Sequence, residues 1–154
     1  MNEELQALSK IHYGKSPVGV LSIDGKVPVV GTGGVYGFAT RSMFESGIVV
    51  ARKGSLGMPH LLTKPFWPVD TTYAVIPRSD INLDWLYYCL INFDLTKLNE
   101  ATGVPSINRN WLARTKIFNP GSARQDKVAA ILRSVDTAIE KTKVLIDKYR
   151  QIKA

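Results

Sequence analysis

Apolar residues in the first half of the chain come in short runs bounded by turn-forming residues. Runs of this length that are rich in Val and Ile are typical of β-strands. Four such runs occur, at residues 18–23, 27–30, 47–52 and 71–76. The first two are separated by Asp24-Gly25, a dipeptide that favours a two-residue hairpin turn. The pattern therefore predicts a β-rich first half that includes a hairpin at residues 18–30.

Helical periodicity appears in shorter stretches on either side of these runs. Residues 3–11 carry Leu5, Leu8 and Ile11 on one side, which predicts a short N-terminal helix. Another helix is predicted after Asn82, a common capping residue, because apolar residues then recur every three to four positions. A short helix at residues 107–112 and a strand at 115–118 are also predicted. Four glycines within residues 31–37 instead indicate an exposed loop.

The longest helical pattern is C-terminal. Ser122 and Gln125 match a capping box, and the helix is predicted over residues 123–152. At about 1.5 Å per residue it would be about 45 Å long, more than a small domain needs to cover itself. Leu132, Ile139 and Ile146 widen an a/d stripe along this helix. The stripe consists of Val128, Ile131, Val135, Ala138, Thr142, Leu145, Tyr149 and Ile152. We expect it to pair with another helix.

These elements predict the fold class and its division. The fold is expected to be α+β, with a mixed α/β domain that has a β-rich core, followed by a long C-terminal coiled-coil helix. The predicted boundary lies at the Asn-Pro-Gly breaker of residues 119–121, which places the domain at residues 1–121 and the helix at 122–154. We call residues 1–121 the head.

The charge of the chain narrows the class of partner. Its net charge is +7, of which residues 1–120 contribute +3 (12 basic, nine acidic) and residues 121–154 contribute +4 (eight basic, four acidic). Excess positive charge favours nucleic acid, because Lys and Arg release counterions from phosphates. The single Cys89, in an apolar run, suits a reducing cytoplasm. Since neither a signal pattern nor about 20 consecutive apolar residues occur, we expect no membrane association.

Common catalytic and cofactor patterns do not fit. A dinucleotide fingerprint that begins at Gly31 would need glycine at its sixth position, where the chain has Tyr36. The Gly-Lys-Ser segment at residues 14–16 lacks the earlier P-loop glycine, since Ser9 holds that position. His12, His60 and one cysteine cannot supply a tetrahedral zinc set. We therefore predict no catalytic residue, metal or cofactor.

Polar and basic residues on predicted loops offer the chemistry that DNA binding requires. Lys and Arg neutralise phosphates, whereas planar Arg and Asn side chains can form two hydrogen bonds with the edge of a guanine or an adenine. The set contains both kinds of side chain, with glycines nearby and Ser55 beside it. The candidate DNA-binding residues are Lys15, Thr40, Arg41, Ser42, Arg52, Lys53, Lys64, Asn108, Arg109, Asn110 and Arg114.

Several segments, taken in order, resemble the specificity subunits of type I restriction-modification systems. They include His-Tyr-Gly-Lys-Ser-Pro at residues 12–17, the glycine-rich segment 27–37, residues 48–57, Pro-Phe-Trp-Pro at the start of 65–73, and the helix start at 125–132. Members of that family carry two target-recognition domains, each followed by a long helix, and the two helices pair antiparallel. This chain has one of each, so the resemblance implies a half-sized subunit. The usual helix entry, Pro-Pro-Leu-x-Glu-Gln, is altered here to Asn-Pro-Gly-Ser-Ala-Arg-Gln.

The resemblance also implies a non-catalytic mechanism. Residues 1–121 would be a target-recognition domain that reads half of a bipartite site in double-stranded DNA, and the helix would form an antiparallel homodimer. A spacer of about 45 Å corresponds to at most ~13 base pairs between half-sites. Methyltransferase subunits, with or without restriction subunits, would dock alongside and supply catalysis.

Two other functions stay open on the residues alone. One is a nuclease or a domain of a fused restriction enzyme, for which Asp24-Gly25-Lys26 is the nearest match to a carboxylate-and-lysine centre. The other is a coiled-coil adaptor that binds the methyltransferase without reading DNA. Metal-dependent cleavage would identify the first, and binding without sequence preference or salt dependence would identify the second.

Overall fold

The computed structural model describes residues 1–153, and within them nine strands combine with four α-helices and a 3₁₀ helix at Leu95–Leu98. The strands are β1 (Asn2–Glu4), β2 (Ser9–Tyr13), β3 (Val27–Gly31), β4 (Gly34–Ala39), β5 (Gly47–Ala51), β6 (His60–Leu62), β7 (Trp67–Pro68), β8 (Thr72–Pro77) and β9 (Lys116–Phe118). The α-helices are α1 (Leu5–Leu8), α2 (Leu83–Asn92), α3 (Arg109–Arg114) and α4 (Ser122–Lys153). The predicted α+β fold with a long last helix is confirmed.

The strands form two sheets and a ribbon. The larger sheet is antiparallel with the order β2-β8-β5-β6. The smaller sheet has the order β4-β3-β7, in which β3 and β7 are parallel. Strands β1 and β9 pair as a ribbon, extended by a 2.8 Å hydrogen bond from the Asn119 N–H to the Met1 carbonyl. Because β9 lies just before α4, this ribbon fixes the start of the long helix to the head.

The larger sheet separates two apolar layers, since successive side chains of a strand point to opposite faces. On one face, Ile48 and Val75 pack in the same cluster as Leu86 of α2. On the other face, Val49 packs with Phe66, which lies next to the smaller sheet. Strand β5 is buried along its whole length. The sheet centre is therefore rigid, and the strand ends are the positions from which side chains can reach outward.

The predicted helix over residues 3–11 is wrong in extent. Only Leu5–Leu8 is helical, and Ser9–Tyr13 is the edge strand β2, which pairs with β8. Leu5 and Leu8 are buried as the helical spacing suggested, but Ile11 reaches the core from a strand. The reason is that pairing with β8 buries every second residue, which outweighs the weak local preference for helix.

The first hairpin lies further along the chain than predicted. Residues 18–23 form turns and an isolated bridge, and β3 pairs with β4. The glycine-rich segment 31–37, predicted as an exposed loop, is therefore the turn and second strand of this hairpin. Its Gly34 has φ +106°, a conformation that favours glycine. Asp24-Gly25 remains near a turn, in which the Gly25 N–H donates to the Ser22 carbonyl at 3.1 Å.

The helices in the second half are confirmed, with one difference at the start of α4. Asn82 caps α2 by accepting a 2.9 Å hydrogen bond from the Trp85 N–H, and α4 spans 32 residues. The predicted capping box is replaced, because the buried Gln125 amide donates to Asn119 Oδ1 and accepts from the Asn82 N–H, both at 2.8 Å. No helix in the described part of the chain is long and apolar enough to cross a bilayer.

Candidate nucleic-acid interface

Several connecting segments meet at one edge of the larger sheet, which we call the loop edge and define as residues 13–17, 52–55, 69–71 and 105–110. Strands β2 and β5 end at this edge and β8 begins there. Backbone hydrogen bonds join the segments: the Arg52 N–H donates to the Thr71 carbonyl at 2.8 Å, and the Ile107 N–H donates to the Arg52 carbonyl at 2.9 Å. The loops are therefore held to the sheet and to one another.

Gly14 allows the first of these segments to pack closely. A Cβ atom at this position would lie 2.0 Å from the Val69 carbonyl oxygen, well inside contact distance. The Gly14 N–H donates to the Thr72 carbonyl at 3.0 Å. Only glycine fits here. Because it has no side chain, the backbone between Tyr13 and Lys15 can pass close to Val69.

Tyr13 stands at the centre of a group of cationic and aromatic side chains. Its exposed ring has the Arg52 guanidinium 5.6 Å and the Arg109 guanidinium 6.0 Å from its centroid. Arg109 is also anchored by a 3.0 Å hydrogen bond from Nε to the Ile11 carbonyl. Both distances lie within the range of cation–π attraction. Three segments far apart in sequence thus place two arginines beside one aromatic ring.

Tyr73 supports this group from beneath. Its ring centroid lies 5.2 Å from that of Tyr13, and its hydroxyl donates a 2.9 Å hydrogen bond to the Ile107 carbonyl. Burial, with a smaller contribution from Tyr13, raises the pKa of Tyr73 to about 12. The hydroxyl therefore keeps its proton at neutral pH and holds residue 107, just before α3, against the sheet.

Trp67 organises a second group beside the first. Its buried indole donates from Nε1 to the Lys15 carbonyl at 2.9 Å, and the exposed Arg41 lies 5.8 Å from the ring centroid. Thr40 is fixed by a backbone hydrogen bond to the Val20 carbonyl at 2.9 Å, with Ser42 two residues on. Arg41 is thereby linked through Trp67 to Lys15 at the loop edge, and Thr40 and Ser42 flank it in the sequence.

The cations at these two groups have no acidic partners within the described residues. The ion pairs within the described residues involve Lys116, Arg133, Lys143 and Arg150, all of which lie outside the two groups. In addition, Nε of Arg52 is buried without a hydrogen-bond partner in residues 1–153. Uncompensated cations beside a buried, unpaired donor favour an anionic or electronegative ligand.

The two candidate asparagines differ in whether the side chain already makes a structural hydrogen bond. The side chain of Asn108 caps α3 by accepting a 2.8 Å hydrogen bond from the Asn110 N–H. Asn110 is exposed in the first turn of that helix. The Asn108 side chain is therefore already used as a helix cap. By capping α3 it orients Arg109 and Asn110 at the loop edge.

Two predicted DNA-binding residues lie away from the others. Lys64 follows β6, whose Leu62 pairs with Gly47 at the start of β5, the opposite end of the sheet from Arg52. Arg114 ends α3 and lies close enough to Glu4 to contribute to the lowering of that carboxyl's pKa, after the larger effects of Gln6 and Lys116. The other nine candidates lie at the loop edge or at residues 40–42, and direct contacts with Tyr13 or Trp67 place Lys15, Arg41, Arg52 and Arg109.

Sequence reasoning missed the aromatic residues that organise the site. Neither Tyr13 nor Trp67 stands among the candidates, although both lie in segments that carried the family resemblance. Tyr13 ends a strand that the sequence pattern did not predict, so no local pattern marked its ring as exposed. The contacts with Arg52 and Arg109 had no signal in the local pattern.

Helix α4 presents two faces with different surroundings. One face packs on the head through the buried Gln125 and Ala129, and its polar residues bond to α2, including Arg133 to Asp84 at 2.9 Å. The other face is the predicted stripe, which is exposed: Val128 40%, Ile131 63%, Val135 48%, Leu145 51%, Tyr149 60% and Ile152 70%. The head therefore leaves most of the stripe uncovered, although Val128 shares a cavity with Trp85 and Cys89 of α2.

Comparison with known proteins identifies the family of this chain. The family model for the type I restriction modification DNA specificity domain matches residues 3–147 of the chain. The chain belongs to this family. The resemblance stated from the sequence is confirmed, and so is the fold, since similar solved structures are specificity subunits of type I restriction-modification systems.

Three relatives describe how far the similarity extends. The specificity subunit of the type I restriction enzyme EcoprrI from Escherichia coli is 26% identical over 112 residues, which cover 71% of this chain and 28% of that protein. The S subunit from M. genitalium gives a TM-score of 0.79 at 20% identity, over 98% of this chain and 42% of its own. The subunit from Thermoanaerobacter tengcongensis gives 0.70 at 15%, over 92% and 38%. The chain thus spans less than half of each relative.

Proposed function

We propose that this chain is a DNA specificity component that reads one half of a bipartite target. The observation that carries the proposal is the concentration of unpaired cations at the loop edge and around Trp67, beside polar groups suited to base edges. Lys15, Lys53 and Arg41 are suited to phosphates because they are exposed. Arg109, near Tyr13, is suited to a base because an aromatic contact and a backbone hydrogen bond fix its position.

The test compares two charge-matched triple variants. One removes Lys15, Arg41 and Lys53, and the other removes Lys64, Arg114 and Lys116, which lie outside the two groups; all six are changed to Ala. We expect the first to weaken duplex binding and to reduce the slope of log affinity against log salt by about three. We expect the second to change neither quantity. Equal effects of the two variants would contradict the proposed surface.

The exposed stripe supports a second part of the proposal, an antiparallel pair of α4 helices. Pairs of stripe residues are equidistant from residue 140: Val128 with Ile152, Ile131 with Tyr149, Val135 with Leu145, and Ala138 with Thr142. A two-fold dimer requires self-complementary contacts of this kind. In this register each apolar residue in the outer three pairs meets another apolar residue, and the small Ala138 meets Thr142 near the centre.

A cross-linking experiment tests this register. The double variant Ala138→Cys/Thr142→Cys should form disulfide-linked dimers under mild oxidation, because the two positions lie opposite each other. The control Ala138→Cys/Lys143→Cys moves one thiol off the stripe and should cross-link far less. Similar yields from both would contradict the antiparallel register. The half-buried Cys89 is common to both variants.

The remaining partners follow from the same proposal. The chain, acting in the cytoplasm, would position methyltransferase subunits and, in the full system, restriction subunits, and these would carry out the chemistry. The chain itself would be non-catalytic. Mixing it with a methyltransferase subunit of its own system and mapping the methylated bases should give one gapped motif. Methylation at unrelated sites, or DNA cleavage by the chain alone with divalent metals, would contradict this division of roles.

A further inference from the structure

We infer that Tyr13 is a positioning residue that presents the Arg109 guanidinium to a guanine in the target, with Arg52 bracing the ring from its inner side. The inference rests on the proposed function and names the group at that surface that reads a base. Neither the sequence pattern nor the family assignment singles out Tyr13.

Arg109 has the geometry of a pre-aligned base reader. It is exposed, its Nε is tied to the Ile11 carbonyl at 3.0 Å, and its guanidinium lies over Tyr13. The anchored Nε leaves the two terminal nitrogens for a ligand. Two parallel N–H donors match the O6 and N7 acceptors of guanine, and an arginine held in advance loses less side-chain entropy on binding.

Arg52 differs from Arg109 in its depth. It is only partly exposed, and its Nε is buried with no partner within residues 1–153. Its guanidinium lies 5.6 Å from the Tyr13 centroid. The recessed Arg52 guanidinium cannot extend as far into a DNA groove as the Arg109 guanidinium. We therefore assign Arg52 the role of supporting the Tyr13 ring.

Tyr13 contacts both arginines and is itself exposed, at 52% of its surface. Neither arginine forms an ion pair within the described residues, so the ring face and, for Arg109, the Ile11 carbonyl help to offset the repulsion between the two cations. Removal of the ring should therefore release Arg109 from its alignment while leaving its charge in place. The loss would appear in base discrimination rather than in overall attraction to DNA.

The experiment uses the full chain and a pool of random duplexes, with sequencing of the bound fraction and salt titration of unselected DNA. Tyr13→Leu should lower the preference for guanine at one position by about 5- to 150-fold, the range for loss of one bidentate contact. It should leave the salt slope and binding to unselected DNA within about twofold of the parent. Tyr13→Phe keeps the ring and should restore the preference.

Arginine variants complete the test. Arg109→Lys keeps the charge but loses the paired donors, so it should lose preference at the same position as Tyr13→Leu, whereas Arg114→Lys, on the same helix, should not. An unchanged preference in Tyr13→Leu, or an equal loss at every position, would overturn the inference while leaving the proposed function intact. A parent chain that selects no sequence would overturn both. Thermal unfolding of each variant verifies that the head is folded.

Discussion

The two halves of α4 share one helical pattern but have opposite surroundings. In the first half, residues 122–136, buried Gln125 and Ala129 pack on the head, and Arg133 and Asp136 bond to α2. In the second half, residues 137–152, apolar side chains such as Leu145 and Ile146 are about half exposed. The difference teaches that helix formation follows from local sequence, whereas the use of each face depends on what lies beside it. On one face the first half joins the helix to the head, whereas its Ile131 and Val135, like the apolar residues of the second half, are available to a partner.

The largest expected effect is on the exposed stripe. The double variant Val135→Asp/Leu145→Asp should convert a dimer fully to a monomer, because paired helices would have to bury unpaired carboxylates. The measurement is molar mass by light scattering across a range of concentrations. Val144→Asp is the matched control, since Val144 is 68% exposed but lies off the stripe. A parent mass already equal to one chain would contradict the comparison.

The next effect is on the packed half of the helix. Gln125→Ala removes the hydrogen bonds to Asn119 and Asn82 and should lower the free energy of unfolding by about 2 kcal/mol. Denaturant unfolding measures this. Gln151→Ala, at the exposed end of the same helix, should change it by less than about 0.5 kcal/mol. If the two substitutions had equal effects, the halves would not differ as described.

A smaller effect concerns the hydrogen bond between α2 and α4. The Tyr88 hydroxyl donates to Asp136 at 2.7 Å, and burial followed by that bond raises the pKa of Tyr88 to about 12. A raised pKa means stability that is present below about pH 10, the unfolded value, and is lost as pH rises toward 12. Tyr88→Phe should therefore be slightly less stable at pH 8, and its unfolding midpoint should fall less between pH 10 and 12. A parallel decline in both proteins would argue against this contact.

The smallest expected effect is on the reactivity of the Cys89 thiol. Burial raises the pKa of the Cys89 thiol to about 11, so little thiolate exists at pH 8. Alkylation of the native chain at pH 8 should be at least about tenfold slower than alkylation in urea. Leu145→Asp should leave this rate unchanged, because Cys89 lies on α2 beside the packed half of the helix. Acceleration by Leu145→Asp would mean that the two halves are coupled.

Elements governed by their own local pattern were predictable from the sequence. The capped start of α2 at Asn82, the buried strand β5 and nearly the whole of α4 lie where the pattern placed them. Residues 3–11 and 18–37 were not predictable, because their structure depends on which distant strand pairs with them. The sequence offered a hairpin signal at Asp24-Gly25 and only a loop at residues 31–37, and the pairing of β3 with β4 places the hairpin turn in the second segment.

The candidate site was likewise predictable only in part from the sequence. Side-chain chemistry was sufficient to name Lys15, Arg52 and Arg109 as candidates, because loops rich in cations are recognisable from the sequence. It could not separate Lys64 and Arg114 from them, since that requires the order of strands in the sheet. Nor could it identify Trp67 or Tyr13 as supports, because their contacts join segments separated by many residues.

The most direct test of the account is the sequence selected by the chain from random duplex DNA at physiological salt, alone and together with a methyltransferase subunit of its own system. The account predicts two inverted copies of one short motif, separated by a fixed gap of at most ~13 base pairs. A single ungapped motif would contradict the paired helices, and a bound pool with no enriched motif would contradict the reading of bases by the loop edge.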